Sequence, residues 1–247
     1  MTRGIRTVVF VVGAMGLAAW LWIGLAKLPG FGHNHHPYRD LAVAAALSRA
    51  TGNAVASVNF DQRALDTLVE ETILLASVTG VMTLLRPAVE EREYRPPQHD
   101  TVLDATRLVG YLMLPVTLAF GLDLIVHGHL TPGGGFQGGV VLAAGLHLLY
   151  VTGSFRALDR LRPVNVFDIG EALGAAGFVV IGLVGLLVGG VFLRNLLPTG
   201  TLGNLFSGGS VAPLNVAVGV EVACGMTVLL AQFLAQEITI VTKDSGR

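Results

Sequence analysis

The sequence predicts an all-α integral membrane protein with about six transmembrane helices. Hydrophobic residues make up 52% of the 247-residue chain and charged residues only 13%, a balance typical of proteins that lie mostly in lipid. Glycine is abundant, with 32 residues, and membrane helices use glycine for close packing against one another. A chain of this length holds about six spans with short loops and no sizeable soluble domain.

Six apolar runs correspond to the predicted spans. The first run, residues 5–26, follows two arginines as a secretory signal does, but it is long enough to cross a bilayer, so we interpret it as a retained helix. The other predicted spans are residues 67–85, 102–126, 140–151, 172–192 and 211–234. A short interfacial helix is expected over residues 42–49.

Basic residues predict the orientation of these spans. If the amino terminus lies in the cytoplasm, most of the 16 Lys and Arg residues fall in the predicted inner segments, as the positive-inside rule requires. An even number of spans also returns the carboxyl terminus to the cytoplasm. We therefore expect both termini inside and the loop after the third span on the outer face.

The boundary between modules is predicted at residues 88–99. This segment combines several charged residues with the adjacent Pro96 and Pro97, a composition typical of a linker. It divides the chain into a two-helix module, residues 1–87, and a four-helix module, residues 100–247.

A glycine-rich stretch at residues 131–139 separates the third and fourth predicted spans. Proline lacks a backbone donor and glycine adopts conformations that other residues avoid, so the stretch is predicted to be irregular. The fourth span has only about a dozen apolar residues, so we expect a re-entrant loop packed against residues 207–215, its backbone polar groups facing a polar cavity. The residues expected to form and support this structural loop are Pro132, Gly133, Gly134, Gly135, Phe136, Pro213 and Asn215.

Several function classes are not supported by the sequence. The glycines at 133, 135 and 138 match the spacing of a dinucleotide fingerprint, but that motif requires a preceding strand. The net charge of −1 does not suggest nucleic acid, and the single Cys224 rules out a disulfide framework. His33, His35 and His36 lack a carboxylate or cysteine to complete a metal site. No metal, cofactor or nucleophile–base set is predicted, so the chain is not expected to be an enzyme in its own right.

Glu221 is the strongest candidate for a functional residue. It lies roughly 10 Å into the sixth predicted span, where an unpaired charge costs at least about 2.5–3.5 kcal/mol. Such a residue faces protein or water, and we favour a role in ion handling over simple pairing with a neighbouring helix. His147, midway along the fourth span, is a candidate partner or proton relay, or a packing histidine.

The start of the second span has two interpretations. Thr67 and Glu70 have the spacing of a capping box, which would satisfy free N–H groups at a helix start. Alternatively, Glu70 and Asp66 lie at the outer mouth of an ion path. The residues alone leave both interpretations open.

Two further carboxylates have simpler explanations. Asp123 lies near the outer end of the third span, close to His127, and an interfacial role is favoured over a place on an ion path. Glu171 lies at the predicted cytoplasmic start of the fifth span, where the helix dipole stabilises it. The only lysines, Lys27 and Lys243, are outside the predicted membrane core, so the chain is not expected to pump protons alone.

Three motifs in order carry a resemblance to a known family. Residues 127–139 (HGHLTPGGGFQGG), 205–210 (LFSGGS) and 213–221 (PLNVAVGVE) resemble the MnhB or MrpB type of subunit found in multisubunit sodium/proton antiporters. Residues 61–70 are similar to the small MbhE-type subunit of membrane-bound hydrogenases, a module that also closes the carboxyl end of the large A-type antiporter subunit. Here Ala64, Leu65 and Val69 depart from the usual glycine and aromatic residues of that motif.

The resemblance implies a multi-pass subunit in the cell membrane of a prokaryote, in a complex that exchanges sodium or another monovalent cation for protons. Its implied partners are antiporter subunits of the A, C and D types, with the lipid bilayer around them. Glu221 and Glu70 would then lie on the ion path. Two alternatives remain: a subunit of a related hydrogenase or respiratory oxidoreductase, and a purely structural scaffold.

Overall fold

The computed structural model describes residues 3–28, 32, 36–85, 103–152 and 164–244. Within these ranges the chain forms eight α-helices and one π-helical turn. The helices are α1 (Arg3–Ala26), α2 (Pro37–Ser48), α3 (Ala54–Ser57), α4 (Ala64–Leu84), α5 (Asp104–Val126), α6 (Gly135–Val151), α7 (Val164–Gly189) and α8 (Val211–Asp244), and the π turn is Val58–Gln62. Contacts divide the chain into two compact units, Met1–Asp40 and Leu41–Arg247.

Five helices are long and apolar enough to cross a membrane, namely α1, α4, α5, α7 and α8. The chain is therefore a multi-pass membrane protein, as predicted. The sixth predicted span corresponds to α6, which has 17 residues and is about 25 Å long, short of a typical hydrocarbon core. The count of six spans and the cytoplasmic location of both termini remain predictions.

Helix α8 is the centre of the second unit, and α4, α6 and α7 all pack against it. Its buried face contributes Leu214, Val218 and Val222 to the apolar core, where they meet Phe60 and Phe178. Helix α5 packs mainly against α6. The arrangement follows from the apolar stripe of α8, which is the most buried of the long helices in the described part of the chain.

Glycine contacts fix the direction of the neighbours of α8. A Cβ atom on Gly139 would lie 2.7 Å from Val222 Cβ, and one on Gly135 would lie 2.4 Å from the Asn215 carbonyl oxygen. Later residues of α6 thus meet later residues of α8, so these two helices run parallel. By the same criterion α7 runs antiparallel to α8, because its Gly174 lies against Ala217 whereas the earlier Gly170 lies against Cys224.

Irregular segments gather at the end of the unit where α4, α6 and α8 begin. We call this region, formed by residues 51–63, 127–134 and 195–210, the glycine end. The residues with positive φ angles that the structure describes within it are all glycines, which adopt this conformation without strain. They are Gly133, Gly134, Gly200, Gly203, Gly208 and Gly209.

The fourth predicted span begins earlier than expected. The prediction placed its start at residue 140, but α6 begins at Gly135, so the prediction of an irregular backbone through residue 139 was wrong. The cause is tertiary: the Gly135 N–H donates a 3.0 Å hydrogen bond to Asn215 Oδ1, which satisfies a free donor at the helix start. The irregular part of the glycine stretch is therefore confined to residues before Gly135.

The second predicted span also begins earlier, and the capping box was wrong. Helix α4 begins at Ala64 after Arg63, whose side chain makes no capping hydrogen bond. Thr67 lies one turn inside the helix and its hydroxyl donates a 2.7 Å hydrogen bond to the Asn59 carbonyl oxygen. The π turn before α4 brings that carbonyl within reach. Likewise, the predicted interfacial helix at residues 42–49 corresponds to α2, which begins at Pro37.

The predicted linker at residues 88–99 lies outside the described residues. The division into modules 1–87 and 100–247 therefore remains a prediction. Helix α4 of the first predicted module packs against α8 of the second, and both belong to the same compact unit.

Candidate functional site

Two glutamates meet in the interior of the second unit. Glu71 on α4 and Glu221 on α8 face each other, and their exposed fractions are only 1% and 0%. Each lies well inside a helix long enough to span a membrane, Glu71 about 10 Å and Glu221 about 15 Å from the helix start. We call these two residues the carboxyl pair.

The carboxyl pair lacks the partners that buried charges usually have. Apart from the contact between the two carboxyl groups themselves, none of their four oxygens has a hydrogen-bond partner among the described residues. No Lys, Arg or His in that part of the chain forms an ion pair with either glutamate. Two buried carboxylates side by side cannot both be ionised at modest cost, so the arrangement suits a shared proton or a bound monovalent cation.

Close helix packing holds the carboxyl pair in place. A Cβ atom on Gly174 of α7 would lie 2.6 Å from the Glu221 backbone nitrogen, so only glycine permits this approach of α7 to α8. Gly225 of α8 admits both Glu171 of α7, whose Oε1 would lie 2.9 Å from an added Cβ, and Val78 of α4, whose Cγ2 would lie 3.3 Å from it. Small residues therefore bring three helices together around the two carboxyl groups.

A third glutamate lies close to the carboxyl pair. Glu171 on α7 is 3% exposed, interacts electrostatically with Glu221, and would meet a Cβ atom on Gly225 at 2.9 Å from its Oε1. Its interpretation as a residue at the helix start was wrong, because α7 begins at Val164 and Glu171 lies two turns inside. Helices α4, α7 and α8 thus each contribute one buried glutamate.

Glu71 is the candidate site residue that sequence reasoning missed, because the predicted helix start at Thr67 left its face undefined. The structure shows that Ala64, Thr67, Glu71 and Val78 are all buried on α4. Their spacing of three, four and seven residues is a helical stripe. That periodicity, extended back to Ala64, is the signal that identifies Glu71 as inward-facing.

A cavity of about 530 Å³ opens at the glycine end. Polar groups of three segments line it: Asn59 and the start of α4, the glycine stretch, and the start of α8. The polar residues among them are Asn59, Thr67, Glu70, Gln137 and Asn215, together with the backbone of Gly133, Gly134 and Gly135. Glu70 is thus a cavity residue, whereas its neighbour Glu71 belongs to the carboxyl pair.

Two asparagines hold the glycine stretch between them. Asn53 Nδ2 donates hydrogen bonds to the carbonyl oxygens of Gly128 and Thr131 at 2.8 and 2.9 Å. Asn215 Oδ1 accepts from Gly135 while its Nδ2 donates to the Val211 carbonyl oxygen at 3.1 Å. The predicted loop and the start of α8 are therefore in direct contact.

The other predicted loop residues take supporting positions. Gly133 and Gly134 have φ angles of 141° and 142°, a conformation that favours glycine. Pro132 is exposed, and Pro213 is half-buried in the first turn of α8. Phe136 is half-buried against the apolar core.

The remaining predicted path residues are Asp66, Asp123 and His147. Asp66 is exposed and forms an ion pair with Arg63. Asp123 Oδ1 lies 2.8 Å from His127 Nδ1, and both side chains are substantially exposed. His147 is half-buried on α6.

His129 is a buried residue of the glycine end. Its ring lies beside the backbone of Asn204 and Leu205, and burial lowers the pKa of His129 from its usual value. Of the predicted histidine cluster, His33 and His35 lie outside the described residues. Among the described residues, no group of three or more metal-ligating side chains is found.

The fold defines a multi-pass helical membrane protein with carboxyl groups buried in its spans. Residues 105–228 match the family model described as a domain related to the MnhB subunit of Na+/H+ antiporter. The chain belongs to this family. The resemblance of the carboxyl-terminal part to the MnhB type of subunit is thereby confirmed.

Two relatives show how far the similarity extends. The chain is 30% identical over 214 residues to the uncharacterized protein MJ1307 of Methanocaldococcus jannaschii, covering 78% of this chain and 80% of that one. It is 37% identical over 88 residues to the B subunit of the Na+/H+ antiporter of Alkalihalophilus pseudofirmus, covering 36% of this chain and 58% of that protein.

Two solved structures share the fold. One is of the membrane-bound sulfane sulfur reductase, an archaeal respiratory membrane complex, with a TM-score of 0.72 and 27% identity, covering 93% of this chain and 98% of that chain. The other is of the Mrp complex from Dietzia sp. DQ12-45-1b, with a TM-score of 0.67 and 25% identity, covering 94% of this chain and 26% of that chain.

Proposed function

We propose that this chain is a membrane subunit of a complex that exchanges a monovalent cation for protons, and that the carboxyl pair lies on its ion path. The observation that carries the proposal is the burial of Glu71 against Glu221 with no cationic partner among the described residues. Ionisable residues inside membrane spans are costly and are retained mainly where they serve transport. Membership of the MnhB-related family supports sodium as the cation.

The chemistry of the site suits such an exchange. With one proton shared between Glu71 and Glu221, the pair carries a single negative charge instead of two adjacent ones. A cation bound between the carboxyl groups would neutralise the same charge. Proton and cation therefore compete for one site, and Glu171 extends the line of carboxyl groups from α4 through α8 to α7.

The topology and assembly belong to the same proposal. Six spans with both termini in the cytoplasm would place the glycine end on the outer face of the cell membrane. Residues 1–87 would be a module of the hydrogenase MbhE type beside the MnhB-like module. The partners would be A-, C- and D-type antiporter subunits, with the chain acting in transport and not as an enzyme by itself.

A second candidate function is that of a subunit in a respiratory oxidoreductase complex. The specific observation is that the similarity spans 98% of a chain in the sulfane sulfur reductase complex, but only 26% of the matched chain of the Mrp complex. Purification in mild detergent, followed by identification of the associated chains, separates the candidates. Antiporter subunits alone support the first, and redox subunits support the second.

The carboxyl pair is tested by replacing each glutamate with its neutral isostere. We expect Glu71→Gln and Glu221→Gln each to abolish sodium-dependent proton movement in everted vesicles, because glutamine keeps the volume but cannot exchange a proton. The complex should still assemble, since an amide costs less to bury than a charge. Antiport is measured by a pH-sensitive dye, and assembly by the amount of purified complex.

Asp66→Asn is the matched control. Asp66 lies on the same helix as Glu71 but is exposed and paired with Arg63. It should leave antiport unchanged. Full antiport in both glutamine variants would contradict the proposed role and leave the purely structural interpretation.

A further inference from the structure

The lining of the cavity at the glycine end is largely apolar, with Phe60, Phe136 and Val140 among its residues, and a small set of polar groups is placed within it. Thr67 is 3% exposed and Asn215 is 0% exposed, yet both line the cavity. The Thr67 hydroxyl proton is already donated to Asn59, and Asn215 Nδ2 already donates to Val211. The Thr67 hydroxyl oxygen and Asn215 Oδ1 each retain acceptor capacity, which suits a cation, and Asn215 Nδ2 also retains one N–H donor.

The walls of the cavity are built from unusual backbone. The π turn Val58–Gln62 forms one wall and the glycines at positive φ form another. Such conformations cluster at functional sites. A Cβ atom on Gly134 would lie 3.0 Å from Asn215 Oδ1 and 3.3 Å from Gln137 Oε1, so any other residue would fill the space between these two oxygens.

Glu70 is the carboxylate that lines this cavity. A volume of about 530 Å³ has room for a cation with several of its waters. Carboxylate, amide, hydroxyl and carbonyl oxygens are the ligands preferred by hard cations. The cavity thus combines one negative charge with neutral oxygen ligands.

The cavity and the carboxyl pair are linked by charge. Glu70 and Glu71 are consecutive residues, and the negative charge of Glu70 acts on Glu71 more weakly than burial and the carboxyl group of Glu221 do. The charged groups that face the pair from the packed helices are Glu70 on α4 and Glu171 on α7. A cation at Glu70 would offset a repulsive charge and so favour release of a proton from the pair.

We propose that the cavity binds a monovalent cation at Glu70, and that this cation and the proton on the carboxyl pair each weaken the binding of the other. This inference rests on the proposed function and adds an entry site to it. Linkage of this kind is reciprocal, so proton loading of the pair would in turn release the cation.

Dicyclohexylcarbodiimide tests the linkage, because this apolar reagent modifies protonated carboxyl groups in apolar surroundings. Membranes containing the full complex are labelled at increasing sodium chloride, with choline chloride holding the ionic strength constant. The label on Glu71 and Glu221 is measured by mass spectrometry. We expect sodium to slow labelling, and parallel titrations with lithium and potassium to rank the cations.

The variant Glu70→Gln should raise the sodium concentration that gives half-protection by about tenfold, within the range of typical coupling between linked sites. Glu70 is exposed, so this change should not disturb folding. Gln137→Met removes one neutral cavity oxygen and should raise the sodium concentration for half-protection by less than Glu70→Gln does. Asp104→Asn removes a fully exposed carboxylate at the start of α5, the end of that helix away from the glycine end, and should leave the half-protection concentration unchanged.

Two results would overturn the inference. One is half-protection of Glu70→Gln at the wild-type sodium concentration, and the other is an absence of sodium protection in the wild type. Either leaves the place of the carboxyl pair on the ion path standing if Glu71→Gln and Glu221→Gln still abolish antiport, but an absence of protection in the wild type also contradicts direct competition between sodium and the proton at the pair. Antiport that survives both glutamine variants instead refutes the proposed function, whatever the labelling shows.

Discussion

Asn215 and Glu221 are both fully buried polar residues of α8, six positions apart, but their environments differ. Asn215 accepts a hydrogen bond from Gly135 and donates one to Val211. The Glu221 carboxyl oxygens meet only another carboxyl group, that of Glu71, in the described ranges. Buried polar groups normally have hydrogen-bond partners. The partners of Asn215 explain its burial by a structural role, whereas the lack of such partners at Glu221 requires another explanation.

The same contrast separates the two regions around them. At the glycine end the backbone is irregular, and Asn53, Asn195 and Asn215 bind its free groups, as a membrane protein requires. Around the carboxyl pair the backbone is regular helix, and in the described ranges the two glutamate side chains have no hydrogen-bond partners beyond each other. The comparison indicates that the polar groups freed by irregular backbone are satisfied at the glycine end, whereas the carboxyl pair, which we propose to lie on the ion path, is left without such partners inside regular helices.

The largest expected effect tests whether the glycine end is architectural. Gly135→Ala would place a Cβ atom 2.4 Å from the Asn215 carbonyl oxygen and 2.8 Å from Val218 Cβ, so α6 must move away from α8. We expect a loss of about 3 kcal/mol or more in stability, at the upper end of overpacking effects. The thermal unfolding midpoint in detergent and the yield of assembled complex measure it.

Gly80→Ala is the matched control for this change. Gly80 is also a helical glycine, on α4, but nothing lies within 4 Å of an added Cβ atom among the described residues. Alanine there should be neutral or slightly stabilising, because it lowers the conformational entropy of the unfolded chain. Equal effects at the two positions would contradict close packing of α6 on α8.

A smaller effect is expected at the asparagine that holds the glycine stretch. Asn53→Ala removes hydrogen bonds to the Gly128 and Thr131 carbonyl oxygens and the cap on α3, for which Oδ1 accepts from Val55 and Ala56. The expected loss is about 2–3 kcal/mol, measured by thermal unfolding.

Asn53→Ser separates the two contributions of Asn53. Serine can cap α3 but cannot reach the two carbonyl groups, so it should recover about 1 kcal/mol of the loss. Antiport per assembled complex should stay at the wild-type level in both variants. A transport defect in fully assembled Asn53→Ser complex would show that the hold of Asn53 on the glycine stretch matters for transport as well as for stability.

The membrane class, most of the long spans and the burial of Glu221 could all be predicted from the sequence. These depend on hydropathy and on the cost of a charge in lipid, which are local properties. Glu71 was missed because the helix was predicted to start at Thr67, whereas it starts three residues earlier, at Ala64. With the helix started at Thr67, Glu71 falls within its first turns and needs no explanation.

The start of α6 was also beyond local reasoning. Glycine is a poor helix former, at about 1 kcal/mol per residue, so residues 135–139 favour irregular backbone when read alone. The contact of Gly135 with Asn215, 80 residues later, reverses this preference. Glu171 is buried inside a helix and not at its end, because α7 begins seven residues earlier, at Val164.

The smallest expected effect concerns His129, a buried ionisable group at the glycine end. Burial lowers the pKa of His129 from its usual 6.5, so the folded protein binds this proton less readily than the unfolded chain does. The contribution of His129 to stability is therefore complete above about pH 6.5 and declines as the pH falls below it. His129→Gln stays neutral throughout, so its unfolding midpoint should fall less than that of the wild type between pH 7.5 and about pH 5.5.

The carboxyl groups are common to both proteins, so the difference between the two midpoints isolates His129. His127→Gln, two residues away and paired with Asp123 at the surface, controls for the loss of a histidine in this loop. Identical pH dependence in wild type and His129→Gln would show that the ring gains its proton without cost. The glycine end would then tolerate a buried charge, as we propose for the carboxyl pair. Tolerance of a buried charge would in that case not distinguish the two regions.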